Sequence, residues 1–374
     1  MNNKKKIIFI LNHFQQSDGV ARSLINLVNI IDLNIYDITI KPMYICDKQL
    51  GKEELQEGIR LESFIGTYFR GLAKILRFIP IKVLYKLVVR DNYDIEIAYQ
   101  CDMPTFIVAN SLNKKAIHIA WMHGYQIYPK EYKEMDKIVC VSKYCMEKAK
   151  RELPGYQNII YKYNIVPDEK IKELSKEDIP YIFDKNDGVI FISVGRHSHE
   201  KGYLRLINIL SELKYEGYNF KLILVGDGPE HMEIVKNTNL LGLSDNVILV
   251  GEEKNPHKYT AKSDVFICSS YSEGYSTVCT ESAILGIPIL TTDVPGGKEI
   301  IDECECGILS DNNDESLKEN LKYILENKTI IKEWKQTMAC TSEKFTLHNR
   351  KIEIDKFFQE ICKMSSVKGE EKDE

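Results

Sequence analysis

A pair of carboxylates stands out in the stretch SSYSEGYSTVCTESAILGIPILTTD, residues 269–293. Glu281 lies among small and apolar residues that predict a short buried helix, and Glu273 precedes Gly274 on the loop ahead of it. A carboxylate accepts hydrogen bonds from vicinal hydroxyls, so Glu281 could hold a ribose and Glu273 a sugar. The alternative is that Glu281 only favours the helix N-terminus and that Glu273 only faces solvent.

The start of that helix is suited to binding phosphate. Ser276 or Thr277 is a good N-cap, and Gly286 with Pro288 ends the helix. Free backbone N–H groups and the positive end of the helix dipole favour an anion there. Gly274 lets the backbone come close to a ligand, so the sequence predicts a phosphate site at this helix start.

Two cations on another loop suit a diphosphate. In SVGRHSHEKGYLRLI, Arg196 and Lys201 follow a predicted buried strand and precede a helix, between Gly195 and Gly202. Ordinary surface charges are the alternative interpretation. The segment LILVGDGPE, which contains Gly226, predicts a third loop of this kind, although a simple Asp-Gly turn would explain it alone. Together the three loops favour one common ligand site.

The elements that must position these residues form a repeated pattern. Strands that alternate with helices predict two doubly wound α/β domains, residues 1–166 and 167–345, with a linker at Pro167. A crossover helix over 346–362 should return to the first domain, and the charged tail 363–374 should be disordered. Such sheets bind ligands at the carboxyl ends of their strands, so we expect the site between the two sheets.

Composition narrows the class of protein. The length of 374 residues suits two domains, and no apolar run reaches the ~18 residues of a membrane span. The 10 cysteines have no framework spacing, so we expect reduced thiols in a cytoplasm and no zinc at Cys304 and Cys306. The net charge of −5 combines a basic segment 1–165 with an acidic remainder.

One absence bears on the chemistry. No two aspartates in the sequence are two residues apart, so there is no D-x-D pair of the kind that commonly holds a sugar-nucleotide diphosphate through Mg²⁺ or Mn²⁺. We therefore predict that no metal and no other cofactor is required, because cationic side chains and a helix N-terminus would bind the diphosphate.

These motifs together resemble the retaining glycosyltransferases of the GT4 type (glycosyl transferases group 1), which have the two-domain GT-B fold. EGYSTVCTE, VGRHSHEKG and VGDGPE look like that family's donor-binding signatures, and the resemblance covers nearly the whole chain. It implies that Glu281 holds the nucleotide ribose, that Glu273 holds donor-sugar hydroxyls, and that Arg196 and Lys201 neutralise the departing diphosphate. Donor contacts are also implied for Gly195, Gly226, Gly274, Tyr275, Ser276 and Thr277.

The first domain matches the family less closely. Gly19 opens the first predicted helix, where the family has two glycines facing the diphosphate, and here Asp18 replaces one of them. His123, in AWMHGY, resembles the family's histidine near the donor sugar. A structural imidazole is the alternative for His123, and Ser142 in VCVSKY is interpreted as structural.

A basic amphipathic stretch, residues 69–90, carries six Lys and Arg residues and no acidic residue. Pro80 should divide it into two short helices. Such a stretch is typical of a surface that binds an anionic membrane, and the alternative is a helix pair that packs on the first sheet with solvated lysines. No nucleic-acid recognition module is present, so nucleic acid is not expected as a partner.

The sequence and the resemblance together predict an enzyme that is cytoplasmic and peripherally bound to the inner face of the membrane of a bacterium. It would transfer a hexose-type sugar, with retention, from a nucleotide-diphosphate donor to a hydroxyl of a lipid-linked capsular or other cell-surface glycan. Uridine is the favoured base, with its contacts near Gly251 to Lys254. The alternatives are a sugar-nucleotide-modifying enzyme of the epimerase type and a catalytically degenerate partner of an active transferase.

Overall fold

The computed structural model divides the chain into two compact units. The N-terminal unit runs to Ile165 and includes the chain from Arg350 onwards, and the C-terminal unit is Val166–Asn349. The predicted domain boundary after residue 166 lies one residue from this division. The structure describes residues 4–14, 19–45, 53–67, 71–124, 126–181, 183 and 187–370.

The N-terminal unit contains a seven-stranded parallel sheet in the order β3-β2-β1-β4-β5-β6-β7. The strands are β1 Lys5–Phe14, β2 Tyr36–Ile45, β3 Arg60–Leu61, β4 Ile95–Ala98, β5 Ile117–Met122, β6 Lys137–Cys140 and β7 Ile159–Tyr161. Its helices are α1 Gly19–Val28, α2 Leu72–Leu76, α3 Ile81–Val88, α4 Met103–Ala109, α5 Pro129–Tyr132 and α6 Lys143–Glu152. Central strands such as β1 are continuous apolar runs because helices cover both faces of a parallel sheet.

The C-terminal unit contains a six-stranded parallel sheet in the order β10-β9-β8-β11-β12-β13. The strands are β8 Val189–Val194, β9 Phe220–Val225, β10 Val247–Gly251, β11 Val265–Cys268, β12 Ile289–Thr292 and β13 Ile308–Ser310. Its helices are α7 Asp168–Leu174, α8 Tyr203–Tyr215, α9 His231–Leu240, α10 His257–Thr260, α11 Thr277–Ile284, α12 Gly297–Cys304, α13 Asp314–Glu326 and α14 Thr329–Thr341. The two predicted doubly wound domains are therefore present.

Two local predictions agree with the structure. Ser142 is the N-cap of α6, and its Oγ accepts a hydrogen bond from the backbone N–H of Cys145 at 3.1 Å. Pro80 separates α2 from α3, because it is the N-cap of α3, with φ of −53°, and cannot donate a backbone hydrogen bond within a continuous helix.

The C-terminal segment differs from its prediction. The last helix, α15, runs over Leu347–Glu370 instead of ending near residue 362. Lys368 donates to Asp136 Oδ2 at 2.5 Å and to the carbonyl oxygen of Ala116 at 2.9 Å, so residues 363–370 are held as helix rather than disordered. The charged composition of the segment does not indicate these two partners. Residues 371–374 of the predicted tail lie outside the described residues. Over the described residues, no helix is long and apolar enough to span a membrane.

Candidate active site

Four loops meet at one edge of the C-terminal sheet. Strands β10, β9, β8 and β11 are parallel neighbours, so their carboxyl ends lie side by side. The segments that follow them are 251–257, 226–230, 195–202 and 269–277, and they contain all but one of the site residues predicted in this unit. The exception, Glu281, lies in the helix that the last of these segments begins.

Two glycines allow the 195–202 and 226–230 loops to touch each other. A Cβ on Gly226 would stand 1.9 Å from the carbonyl oxygen of Gly195, and Gly226 has a φ of +135°. A Cβ on Gly195 would stand 2.8 Å from the hydroxyl of Tyr203. Both positions therefore require glycine for close approach within the protein. The predicted role of Gly195 and Gly226 toward a donor stays a prediction.

Lys201 and Glu273 form a salt bridge across two of these loops. Lys201 Nζ is 2.6 Å from Glu273 Oε1, which also accepts a 2.7 Å hydrogen bond from Ser270 Oγ. Both side chains are largely buried, at 22% and 12% exposure. Burial lowers the pKa of Lys201, but the Glu273 carboxylate outweighs burial and raises that pKa above its ordinary value. Lys201 therefore stays charged beside a carboxylate that is already oriented.

Arg196 differs from Lys201 in its surroundings. Its side chain is exposed, and it makes no hydrogen bond or salt bridge to the parts of the chain that the structure describes. An exposed guanidinium next to a buried strand end keeps all five of its donors available to a ligand.

Arg205, which sequence reasoning missed, holds the loop that carries Glu273. Its side chain is buried, donates to the carbonyl oxygens of Ser269 (2.9 and 2.5 Å) and Ser270 (3.0 Å), and stacks on Tyr271 at 3.9 Å. Arg205 lies within the apolar helix segment YLRLINIL. Because an arginine side chain is usually exposed to solvent, its burial could not be predicted without knowing the loop that it contacts.

The predicted helix start agrees with the structure. Ser276 is the N-cap of α11, and its Oγ accepts a hydrogen bond from the backbone N–H of Cys279 at 3.4 Å. Thr277 is the first helical residue, and Gly286 follows the helix with φ of +72°. The side chain of Tyr275 is buried, and a Cβ on Gly296 would stand 2.7 Å from its ring.

Glu281 lies beside a histidine that the sequence analysis did not single out. His257 Nδ1 is 3.7 Å from Glu281 Oε2, and both side chains are partly buried. Burial, with a smaller contribution from the charge of Lys170, lowers the pKa of His257 to about 4, so the ring is neutral at neutral pH. His257 follows the β10 strand end, which is the signal that could have identified it.

In the N-terminal unit, His123 and α1 contact the same tyrosine. The ring of His123 is 4.6 Å from that of Tyr99, whose hydroxyl is 3.1 Å from Ser23 Oγ on α1. Gly19 is the first residue of α1, and no heavy atom lies within 4 Å of the position of an added Cβ. Asp18 lies outside the described residues. The structure places His123 and Gly19 at carboxyl ends of strands β5 and β1 of this sheet.

The two parallel α/β sheets, and a final helix that begins in one unit and continues in the other, define the GT-B fold. The structure of Anabaena HepE, determined in complex with UDP, is similar to this chain, with a TM-score of 0.72 at 16% identity over 95% of this chain and 100% of that one. Residues 175–339 match the family described as glycosyl transferases group 1. The matched residues lie within the C-terminal unit Val166–Asn349, so this unit is similar to the glycosyl transferases group 1.

Two relatives of known name share sequence with this chain. N-acetylgalactosamine-N,N'-diacetylbacillosaminyl-diphospho-undecaprenol 4-alpha-N-acetylgalactosaminyltransferase of Campylobacter jejuni is 31% identical over 49% of this chain and 48% of its own length. The lipopolysaccharide core biosynthesis glycosyltransferase LpsD of Rhizobium meliloti is 25% identical over 76% of this chain and 78% of its own length. The chain thus spans about half of the Campylobacter relative.

The contact between the two glycine loops leads to a stability prediction. Gly226→Ala should destabilise the protein by about 3 kcal/mol, because the new Cβ meets a backbone oxygen and the residue has an unfavourable φ. Urea unfolding followed by circular dichroism measures the change.

Gly242→Ala is the matched control, since Gly242 has φ of +69° but open space around it. It isolates the backbone strain, which should cost about 1 kcal/mol. Equal losses in the two variants would mean that the close approach of Gly226 to Gly195 is not a constraint.

Proposed function

We propose that this protein is a retaining glycosyltransferase that moves a hexose-type sugar from a nucleoside-diphosphate donor to a hydroxyl of a lipid-linked cell-surface glycan. The observation that carries the proposal is the Lys201–Glu273 salt bridge at the sheet edge. Glu273 lies four residues before Thr277, the first residue of α11. A cation, a carboxylate and free helix N–H groups there match the phosphates and hydroxyls of a sugar nucleotide.

The charges suit the departure of a diphosphate. As the bond between the sugar and the diphosphate breaks, negative charge grows on the leaving phosphate, and Arg196, Lys201 and the N-terminus of α11 stabilise it. The acceptor hydroxyl attacks from the same face, and the leaving phosphate takes its proton, so that a new glycosidic bond and a nucleoside diphosphate result. Glu273 binds donor-sugar hydroxyls and Glu281 the ribose. None of these steps uses a metal ion.

Similar proteins support the choice of donor and acceptor. HepE was crystallised with UDP, and the name of the Campylobacter relative specifies a diphospho-undecaprenol substrate. We therefore favour a uridine donor and a lipid-linked acceptor. The protein would act in the cytoplasm, at the inner face of the membrane.

A membrane-facing surface is part of this proposal. Helices α2 and α3 and the residues next to them expose apolar side chains as well as basic ones. Exposed fractions are 54% for Ile75, 88% for Phe78, 48% for Val83 and 41% for Leu87. Lys74, Arg77, Lys82, Lys86 and Arg90 are exposed beside them. Solvated lysines alone would not require exposed Phe and Leu, so this surface favours binding to an anionic bilayer.

Two other functions would produce different results. An epimerase-type enzyme would need an acid–base pair poised at the sugar, and would convert the donor sugar with no acceptor present. A degenerate partner of an active transferase would bind the donor without turnover against any acceptor. The intact set of Arg196, Lys201, Glu273 and Glu281 favours transfer over the last of these.

The first prediction of this proposal concerns nucleotide binding. UDP should raise the thermal midpoint in EDTA more than GDP, ADP or CDP, since a ligand at 100 times its Kd stabilises the native state by about 2.7 kcal/mol. Arg196→Ala should lose most of this shift, whereas Lys262→Ala, an exposed lysine of the same unit, should keep it. No shift with any nucleotide would contradict a metal-free diphosphate site.

Turnover is the second prediction. Arg196→Ala and Lys201→Ala should each lower kcat by about 10²-fold or more, because each removes a positive charge that stabilises the leaving diphosphate. Release of nucleoside diphosphate in the presence of a lipid-linked acceptor measures the rate, again with Lys262→Ala as the control. Near-normal turnover in both variants would remove these residues from the mechanism.

Membrane binding is the third prediction. Replacing Lys82 and Lys86 together by Glu should reduce co-sedimentation with phosphatidylserine-containing vesicles roughly tenfold or more, because each cation near an anionic leaflet contributes about 1 kcal/mol. The control is the same charge reversal at Lys150 and Arg151, which are exposed on α6. Equal binding of both double variants, or equal binding to neutral vesicles, would contradict a specific role for α2 and α3.

A further inference from the structure

A cluster of two histidines and an aspartate includes one residue of the predicted diphosphate loop, residues 195–202, and has no part in the proposed transfer. His197, in the 195–202 loop, Asp227, in the 226–230 loop, and His231, the first residue of α9, each offer one ligand atom, and these atoms all lie within 4.8 Å of one another. We propose that this cluster is a binding site for a first-row transition-metal ion of the Zn²⁺ class.

The two imidazoles face each other. His197 Nδ1 is 2.9 Å from His231 Nδ1, and the ring planes differ by only 11°. His231 Nδ1 is in turn 3.7 Å from Asp227 Oδ1. In the ion-free chain the two nitrogens share an N–H···N hydrogen bond, and we assign His231 as its donor. His197 Nδ1 then presents its lone pair toward the cluster.

Burial keeps His197 suitable as a ligand. The residue is 0% exposed, so bulk water does not compete for its ring nitrogens. His231 is partly exposed, at 25%, and Asp227 is exposed, so water or another small ligand can complete the coordination from that side.

The backbone holds the two loops in place. His197 N–H donates to the carbonyl oxygen of Asp227 at 2.9 Å, and Glu230 N–H donates to the carbonyl oxygen of His197 at 2.9 Å. A Cβ on Gly228 would stand 2.5 Å from that same carbonyl oxygen. These contacts place Asp227 and His231 next to His197 before any ion binds, which reduces the ordering that binding would otherwise require.

Metal binding requires a small movement and a balanced proton transfer. Two nitrogens on a tetrahedral Zn²⁺ stand roughly 3.4 Å apart, given Zn–N bonds of about 2.1 Å. The partly exposed His231 ring can rotate by the roughly 0.5 Å needed. His231 Nδ1 releases its proton to water, and Nε2 takes one up, so both rings stay neutral. Two imidazoles and one carboxylate with open positions suit Zn²⁺ or Co²⁺ better than Mg²⁺, which prefers oxygen ligands.

Cobalt serves as a spectroscopic probe for the test. EDTA-treated protein in a Cys340→Ser background, which removes an exposed thiol, is freed of chelator and titrated with Co²⁺. We expect one equivalent to bind with visible d–d absorption bands, and Zn²⁺ to displace it. Asp227→Asn and His231→Gln should each weaken Co²⁺ binding tenfold or more. His199→Gln is the control, since His199 belongs to the same loop and its side chain is 85% exposed.

Three results would overturn the proposal. They are the absence of d–d bands, equal affinity in the two ligand variants and the control, and sulfur-to-cobalt charge-transfer bands, which would show binding at cysteines. Circular dichroism of each variant separates the loss of a metal-ligating side chain from the loss of folding. His197 is not substituted because it is fully buried. The titration contains no nucleotide, so its result does not depend on whether the proposed transfer is right.

Discussion

The Lys201–Glu273 salt bridge joins the two loops that follow strands β8 and β11 of the C-terminal unit. Removing two charges from water costs more than a salt bridge of this kind usually returns, so stability alone does not explain a largely buried pair. Ser270 adds a hydrogen bond to the carboxylate, and Arg205 fixes the backbone of the loop on which both Ser270 and Glu273 lie. The surroundings are thus organised to hold one carboxylate in one orientation.

Local features of the sequence predicted the frame of the molecule well. Ser276 caps the helix that follows it, Ser142 has a structural role as the N-cap of α6, and Pro80 divides the basic stretch. Each of these depends on neighbours within a few residues, where backbone chemistry and apolar periodicity decide the outcome. The order of parallel strands then brought the predicted loops to one edge.

Contacts between distant segments were the part that could not be predicted. His257 approaches Glu281, Arg205 binds the carbonyl oxygens of Ser269 and Ser270, and His197 meets a histidine 34 residues away. None of these partners is marked by local composition. The C-terminal segment was misjudged for the same reason, because the partners of Lys368 lie on distant parts of the N-terminal unit.

The neutrality of the Lys201–Glu273 pair has a consequence for selectivity. A lone anion such as inorganic phosphate can draw Lys201 away only by leaving Glu273 buried without its counter-charge, which is costly. A molecule that offers phosphate to the lysine and hydroxyl groups to the carboxylate replaces both partners at once. Under the proposed transfer, the pair would therefore favour a complete sugar nucleotide over inorganic phosphate.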